Sequence, residues 1–261
     1  MAISFHHSKK LFLLDQDGTL YKGRDLFPFT LSFLNKIKES GAAYLFITNN
    51  SSKTIAEYVT KMKQFGISAT SDEFYTSTSA TIDYLHKHHS HENVYLVATP
   101  AIIDEFKQAG INVPVNPKEA TVVVLTYDTT LDYKKLTTLC ELVKDTKVTY
   151  LATNPDLVCP TEDGYLPDCG SFAIMVFNAT GRNPLYLGKP RALFVETILE
   201  RFGLKRDDVV VIGDRLYTDI ALGTNALVDT VLVLSGEATK DDLKTSPFTP
   251  TYVVEDVSQI I

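Results

Sequence analysis

Short, continuously apolar runs alternate with amphipathic stretches along the whole chain, and this alternation limits the fold more than any other feature. The runs lie at 11–14 (LFLL), 43–47 (AYLFI), 94–98 (VYLVA), 121–125 (TVVVL), 148–152 (VTYLA), 208–212 (DVVVI) and 230–234 (TVLVL). Between them, 31–40, 53–65, 132–145 and 191–202 place apolar residues three and four apart, the spacing of an amphipathic helix. A strand that is apolar at successive positions is buried on both faces, so helices must cover both sides of the sheet that holds it. The predicted class is therefore α/β, with a doubly wound, mostly parallel sheet. With 261 residues, 44% of them hydrophobic, the chain has material for one large domain or two modest ones.

Charge and cysteine usage narrow the function classes. Lys plus Arg number 25 against 32 Asp plus Glu, a formal net charge of −7. Long nucleic acids and anionic membranes are excluded as expected partners, because binding them needs a basic field. A small anion needs only a few local cations. The three cysteines, Cys140, Cys159 and Cys169, include no Cys-x-x-Cys pair, so neither a disulfide framework nor a zinc site is indicated. The first residues, MAISFHHSKK, lack the apolar stretch of a signal peptide, and no apolar run approaches the roughly 18 residues of a membrane helix. The expectation is a soluble cytoplasmic protein, with a homodimer compatible but not required. Four of the six histidines fall in HKHHSH at 86–91, a tract read as solvated surface at a helix end.

Four segments carry chemistry. Asp15-Gln16-Asp17-Gly18-Thr19 follows the first apolar run. Carboxylates two apart on a strand leave by the same face, and Gly18 lets the chain turn behind them, so Asp15 and Asp17 are candidates to hold a hard cation. An EF-hand loop would need Gly at its sixth position and an acid at its twelfth, where this segment has Gly18 at the fourth and Leu26 at the twelfth. Thr48-Asn49-Asn50-Ser51-Ser52 lies between an apolar run and a predicted helix; such residues seat an anion or simply cap the helix. Lys189, within Gly188-Lys189-Pro190, precedes the helix predicted at 191–202, with Pro190 suited to its first turn. Asp214 and Asp219 follow the run 208–212 in Gly213-Asp214-Arg215-Leu216-Tyr217-Thr218-Asp219, where they are site residues or caps of the next helix. All four segments fall at carboxyl ends of predicted strands or at adjoining helix starts, and alternating βα units bring those to one edge. Two or three carboxylates, a hydroxyl, amides and a lysine on one edge make a phosphoryl-transfer site.

These residues closely resemble the four motifs of the haloacid dehalogenase superfamily of phosphatases. The hhhhDxDGT stretch is similar to the first motif, Thr48 to the second, Lys189 to the third and GDRLYTD to the fourth. ITNNSS, TNPD at 153–156, the Gly164, Pro167, Gly170 spacing and TGRNP at 180–184 running into LGKP look like the NagD-type and 4-nitrophenylphosphatase-type subfamily. That resemblance implies a Rossmann-like core at 1–77 and 183–261, with an inserted α/β cap at 78–182 that encloses the site and selects substrate.

The resemblance also implies roles. Asp15 attacks phosphorus to form an aspartyl-phosphate, and Asp17 protonates the leaving oxygen and later deprotonates water. Thr48, the Asn49 backbone and Lys189 hold the phosphoryl group. Mg2+ is bound by Asp15, the Asp17 carbonyl and Asp214, with Asp219 orienting the cluster. In the cap, many relatives have a glycine where this chain has Thr126, before Tyr127 and Asp128. Tyr127, Asp128, Asn154, Asp156, Asp168 and Cys169 are the candidates for a substrate-facing surface. The implied reaction is magnesium-dependent hydrolysis of small phosphate monoesters such as a sugar phosphate, nucleotide or aryl phosphate. The alternatives are a phosphomutase or phosphotransferase on the same core, or a signalling module phosphorylated on aspartate.

Overall fold

The computed structural model describes residues 3–5, 8–161 and 164–260. In chain order its strands and α-helices begin with β1 (Leu11–Leu14), the short hairpin β2 (Tyr21–Lys22) and β3 (Asp25–Leu26), α1 (Thr30–Glu39), β4 (Ala43–Thr48), α2 (Ile55–Gln64) and β5 (Phe74–Thr76). There follow α3 (Ser77–His88), β6 (Val94–Val97), α4 (Pro100–Gln108), β7 (Val122–Leu125), α5 (Tyr133–Val143), β8 (Thr149–Ala152), β9 (Val158–Thr161), β10 (Gly164–Pro167), α6 (Cys169–Thr180) and β11 (Leu185–Tyr186). The chain closes with α7 (Ala192–Phe202), β12 (Val209–Gly213), α8 (Ala221–Ala226), β13 (Asp229–Val233) and β14 (Tyr252–Val254). The seven apolar runs all become strands. Among the described residues no helix is long and apolar enough to cross a membrane.

The chain divides into two compact units. The first comprises Met1–Thr48, Val59–Tyr75 and Lys189–Ile261, and the second Asn49–Tyr58 and Thr76–Gly188. Residues 49–58 group with the second unit. Hydrogen bonds account for it. Ser77 Oγ and Asn154 Nδ2 both donate to the Asn49 carbonyl, at 2.6 and 2.8 Å. Ser51 Oγ lies 2.8 Å from Thr153 Oγ1 and accepts the Tyr127 N–H at 2.9 Å. None of these polar atoms announces its partner in the sequence, because the partners lie 28 to 105 residues away.

In the first unit the six-stranded sheet has the order β14-β13-β12-β1-β4-β5. β1 pairs in parallel with both β12 and β4, and β13 in parallel with both β12 and β14. From β1 the chain builds outward through β4 to β5, then returns at β12 and builds the other way. The boundary between β1 and β12 is thus the topological switch point, where sheets of this kind leave a crevice beyond the strand ends. All four residues of β1 and all five of β12 are buried, which is why these runs are apolar throughout.

The second unit has its own parallel sheet, in the order β11-β8-β7-β6, and the separate antiparallel hairpin β9–β10. Leu139 and Val143 of α5, with Phe172 and Val176 of α6, are buried against Val123, Leu125 and Tyr150 of the sheet. A complete apolar core of this kind makes the insertion a folded unit and not a long loop.

Candidate active site

Parallel register carries the strand ends of the first unit to one edge. Leu14 is level with Ile212 on one side and Phe46 on the other, and Gly213 with Leu232. The next residues out are therefore Asp15 beyond β1, Asp214 beyond β12, and the segment beginning near Ser235 beyond β13, while Thr48 ends β4. The Asp15 N–H donates to the Ile212 carbonyl at 2.9 Å, extending the ladder one residue past β1.

Carboxylate oxygens of Asp15, Asp214 and Asp219 lie within 4.8 Å of one another. Lys189 sits among them. Its Nζ donates to Asp15 Oδ1 and to Asp219 Oδ1, both at 2.7 Å, and its side chain is 4% exposed. The second Asp219 oxygen accepts the Arg215 N–H at 3.2 Å. Asp219 lies in a π-helical turn, Leu216–Ile220, in which the N–H groups of Asp219 and Ile220 both donate to the Arg215 carbonyl. Such turns recur at functional sites. α8 begins after this turn without a side-chain cap, so neither Asp214 nor Asp219 acts as its cap.

Two other expectations change in detail. Thr48–Ser52 do not cap α2, because Thr54 does so with Glu57 in reciprocal bonds. Pro190 is not in the first turn of α7; it precedes the N-cap residue Arg191, after a cis Lys189–Pro190 peptide. Lys189 reaches the carboxylates by its side chain and not by standing at the start of the helix.

Asp17 also departs from expectation. β1 ends at Leu14, so the strand alternation that would point Asp15 and Asp17 the same way does not extend to them. The chain turns instead through Gly18, at φ +88°, and Asp17 bridges to Tyr21. Its side chain is exposed and outside the three-carboxylate group. Gly18 meets two demands at once: its φ is left-handed, and a Cβ there would collide with the Asp214 carboxylate.

Burial and neighbouring charge set the electrostatics of the cluster. Burial raises the Asp15 carboxyl to about 7; Lys189 opposes this, and the charge of Asp219 adds to it. Asp214 is also held well above the usual carboxylate range, by burial first and then by Asp15 and Asp219. For Lys189 the two carboxylates outweigh burial, so it stays an ammonium. Three clustered carboxylates outnumber the two cations that act on them, Lys189 and Arg215, and Asp214 Oδ1 is buried with no hydrogen-bond partner among the described residues. Hard oxygen donors, excess negative charge and an orphaned buried acceptor fit a magnesium ion that keeps waters or phosphate oxygens in its remaining positions.

In the second unit, Asn49 Nδ2 donates to Asp156 Oδ2 at 3.0 Å, and the Asp156 N–H donates to Asn154 Oδ1 at 3.0 Å. Asp128 is bound by Lys135 Nζ at 2.6 Å and by Thr130. Asp168 caps α6. Cys169 is buried in the core, its thiol pushed up to about 12 by burial, and the Tyr127 hydroxyl is raised for the same reason. None of these six candidate substrate-facing side chains is exposed. Asp128 and Asp168 already have structural partners, and Cys169 is an inert thiol.

Comparison with known proteins supplies the family context. A haloacid dehalogenase-like hydrolase model matches residues 12–112, and an HAD-hydrolase-like model matches 186–260. The chain is 32% identical over 250 residues to an acid sugar phosphatase of Staphylococcus epidermidis, covering 96% of each. The structure of a 4-nitrophenylphosphatase from Thermotoga maritima superposes with TM-score 0.92 at 36% identity, covering 97% of this chain and 96% of that one. NagD from Escherichia coli gives 0.89 at 28% identity, over 97% and 99% of the two chains.

Proposed function

This chain belongs to the haloacid dehalogenase-like hydrolases, and from that premise we propose that it is a magnesium-dependent phosphatase of small phosphate monoesters that works through an aspartyl-phosphate at Asp15. The observation that carries the reading is the buried Lys189 ammonium shared between Asp15 and Asp219, beside the orphaned oxygen of Asp214. This arrangement keeps the Asp15 carboxylate oriented and supplies positive charge where a phosphate dianion must approach it.

In the proposed reaction an Asp15 oxygen attacks phosphorus and the bond from phosphorus to the ester oxygen breaks, while Asp17 gives that oxygen its proton. Asp17 then takes a proton from water, whose oxygen attacks phosphorus; inorganic phosphate leaves and the Asp15 carboxylate is restored. The exposed position of Asp17 in a turn supports a group that exchanges protons with leaving group and water. Thr48, the Asn49 N–H and Lys189 hold the phosphoryl oxygens. Asp219, with both oxygens engaged, fixes Lys189. Asp15, Asp214 and the Asp17 carbonyl would hold magnesium, which when bound would supply the charge that lets two carboxylates and a phosphate dianion coexist. The inserted unit is assigned the selection of substrate.

Chelation is expected to abolish turnover, with full recovery on adding magnesium. A pH dependence follows from the raised carboxyls. A carboxyl raised in the folded state holds its proton more tightly there, so the metal-free fold loses stability as pH rises from the ordinary carboxylate range through about 7. The rise in unfolding temperature on adding magnesium should therefore be larger at pH 8 than at pH 5, where protons compete for the same oxygens. An equal rise at both pH values would count against magnesium at these carboxylates.

Substrate range is tested with a panel of phosphate monoesters assayed for released inorganic phosphate, with and without an acceptor sugar. Small esters, including an aryl phosphate, are expected to be hydrolysed far better than a folded phosphoprotein. The formal charge of −7 offers acidic macromolecules no long-range attraction. Comparable efficiency on a phosphoprotein would overturn the small-substrate reading and leave the chemistry at Asp15 standing.

A further inference from the structure

The loop after β13 contributes more to the cluster than its sequence suggests. The Glu237 N–H donates to Asp214 Oδ2 at 2.7 Å, and the Ala238 N–H donates to the Asp214 carbonyl at 3.1 Å. Ser235 Oγ donates to the Gly18 carbonyl at 2.7 Å, joining this loop to the turn that follows the nucleophile. Between them lies Gly236, where a Cβ would collide with the Asp214 carboxylate, as one at Gly18 would. Gly236 is not in the left-handed region, so the conformation does not require glycine. Space does. Asp214 is thus walled by two glycines, with one oxygen engaged by a backbone N–H and the other, Oδ1, buried without a partner among the described residues.

We propose that the Ser235–Gly236–Glu237 turn is a positioning clasp that orients the Asp214 carboxylate for magnesium and ties it to the nucleophile turn through Gly18. This rests on the reading of Asp214 as a magnesium ligand and adds three residues to it. By engaging Oδ2, the Glu237 N–H leaves Oδ1 as the atom presented to the cation. Gly236 keeps the backbone close enough for that bond, and Ser235 fixes the loops after β13 and β1 to one another. Partners that orient a metal-ligating group from behind typically contribute 10- to 100-fold in metal affinity.

The test is the magnesium concentration that gives half of the maximal rise in unfolding temperature, measured on Gly236→Ala, Ser235→Ala and the unaltered protein, with unfolding temperatures of the metal-free forms alongside. Gly236→Ala should shift that midpoint upward at least about tenfold, and Ser235→Ala should shift it in the same direction by less. The metal-free unfolding temperatures should fall much less than the metal response. A merely structural role would lower the metal-free temperatures and leave the magnesium midpoint where it was, which overturns the clasp. If Gly236→Ala does not fold, Ser235→Ala decides by the same criterion. Failure of the unaltered protein to respond to magnesium at all would instead remove the metal from Asp214, and the clasp with it.

Discussion

Asp15→Asn is expected to lower the rate on an aryl phosphate by on the order of 10⁴-fold or more, the scale of losing an enzymatic nucleophile, while leaving the metal-free protein as stable or more so. The amide keeps an acceptor for Lys189, which lies 2.7 Å from Asp15 Oδ1, but it is a poor nucleophile. It also removes a charge that burial disfavours, since the carboxyl sits at about 7 against an ordinary value near 4. The sign follows: the folded protein holds this proton more tightly than the unfolded chain, so the penalty for ionising Asp15 is absent at low pH and grows as pH rises through 7. The gain in unfolding temperature from Asp15→Asn should accordingly be larger at pH 8 than at pH 5. Activity within tenfold of the unaltered protein would remove Asp15 from the nucleophilic role. A stability difference independent of pH would show that its charge is not the one opposed by the fold.

Lys189→Ala should be the opposite case, losing both turnover and stability. It leaves Asp15 and the fully buried Asp219 without their shared cation, and breaking a buried pair from one side costs about 3–5 kcal/mol. Catalysis should fall by at least about 10³-fold, since a preorganised charge at the phosphoryl group is lost along with the orientation of Asp15. Arginine should not restore it, because a planar guanidinium does not replace a compact ammonium donating at 2.7 Å to both carboxylates. Combining Lys189→Met with Asp219→Asn separates the two losses: stability should return in large part, and activity should not. Recovery of activity in the double variant would make Lys189 a structural residue only.

The framework of this site was legible in the sequence because of its strands. LFLL and the VVVI of 209–212 are apolar at every position because both faces of β1 and β12 are covered, and that places Asp15 and Asp214 on adjacent strand ends. Four things were not legible, for separate physical reasons. The alternation argument for Asp17 failed because β1 stops at Leu14 and Gly18 turns the chain. α6 has no periodicity to read, since apolar side chains such as Ile174, Met175 and Phe177 also occupy its exposed positions. The bond partners of 49–58 lie far away in the chain, among Ser77, Tyr127, Thr153 and Asn154. Glu237 and Gly236 meet Asp214 through a backbone N–H and the absence of a side chain, neither of which a residue name announces; the remaining signal is a Ser-Gly pair just beyond a buried strand.

The central claim is covalent catalysis at Asp15, and the most direct measurement is to trap the intermediate. Enzyme, magnesium and an ester carrying radiolabelled phosphate are mixed, quenched in acid within the first turnover and digested. The label is expected on the peptide containing Asp15, forming no later than inorganic phosphate is released and absent from Asp15→Asn. Rapid release of inorganic phosphate with no labelled protein at any quench time, or a label that persists in Asp15→Asn, would contradict it.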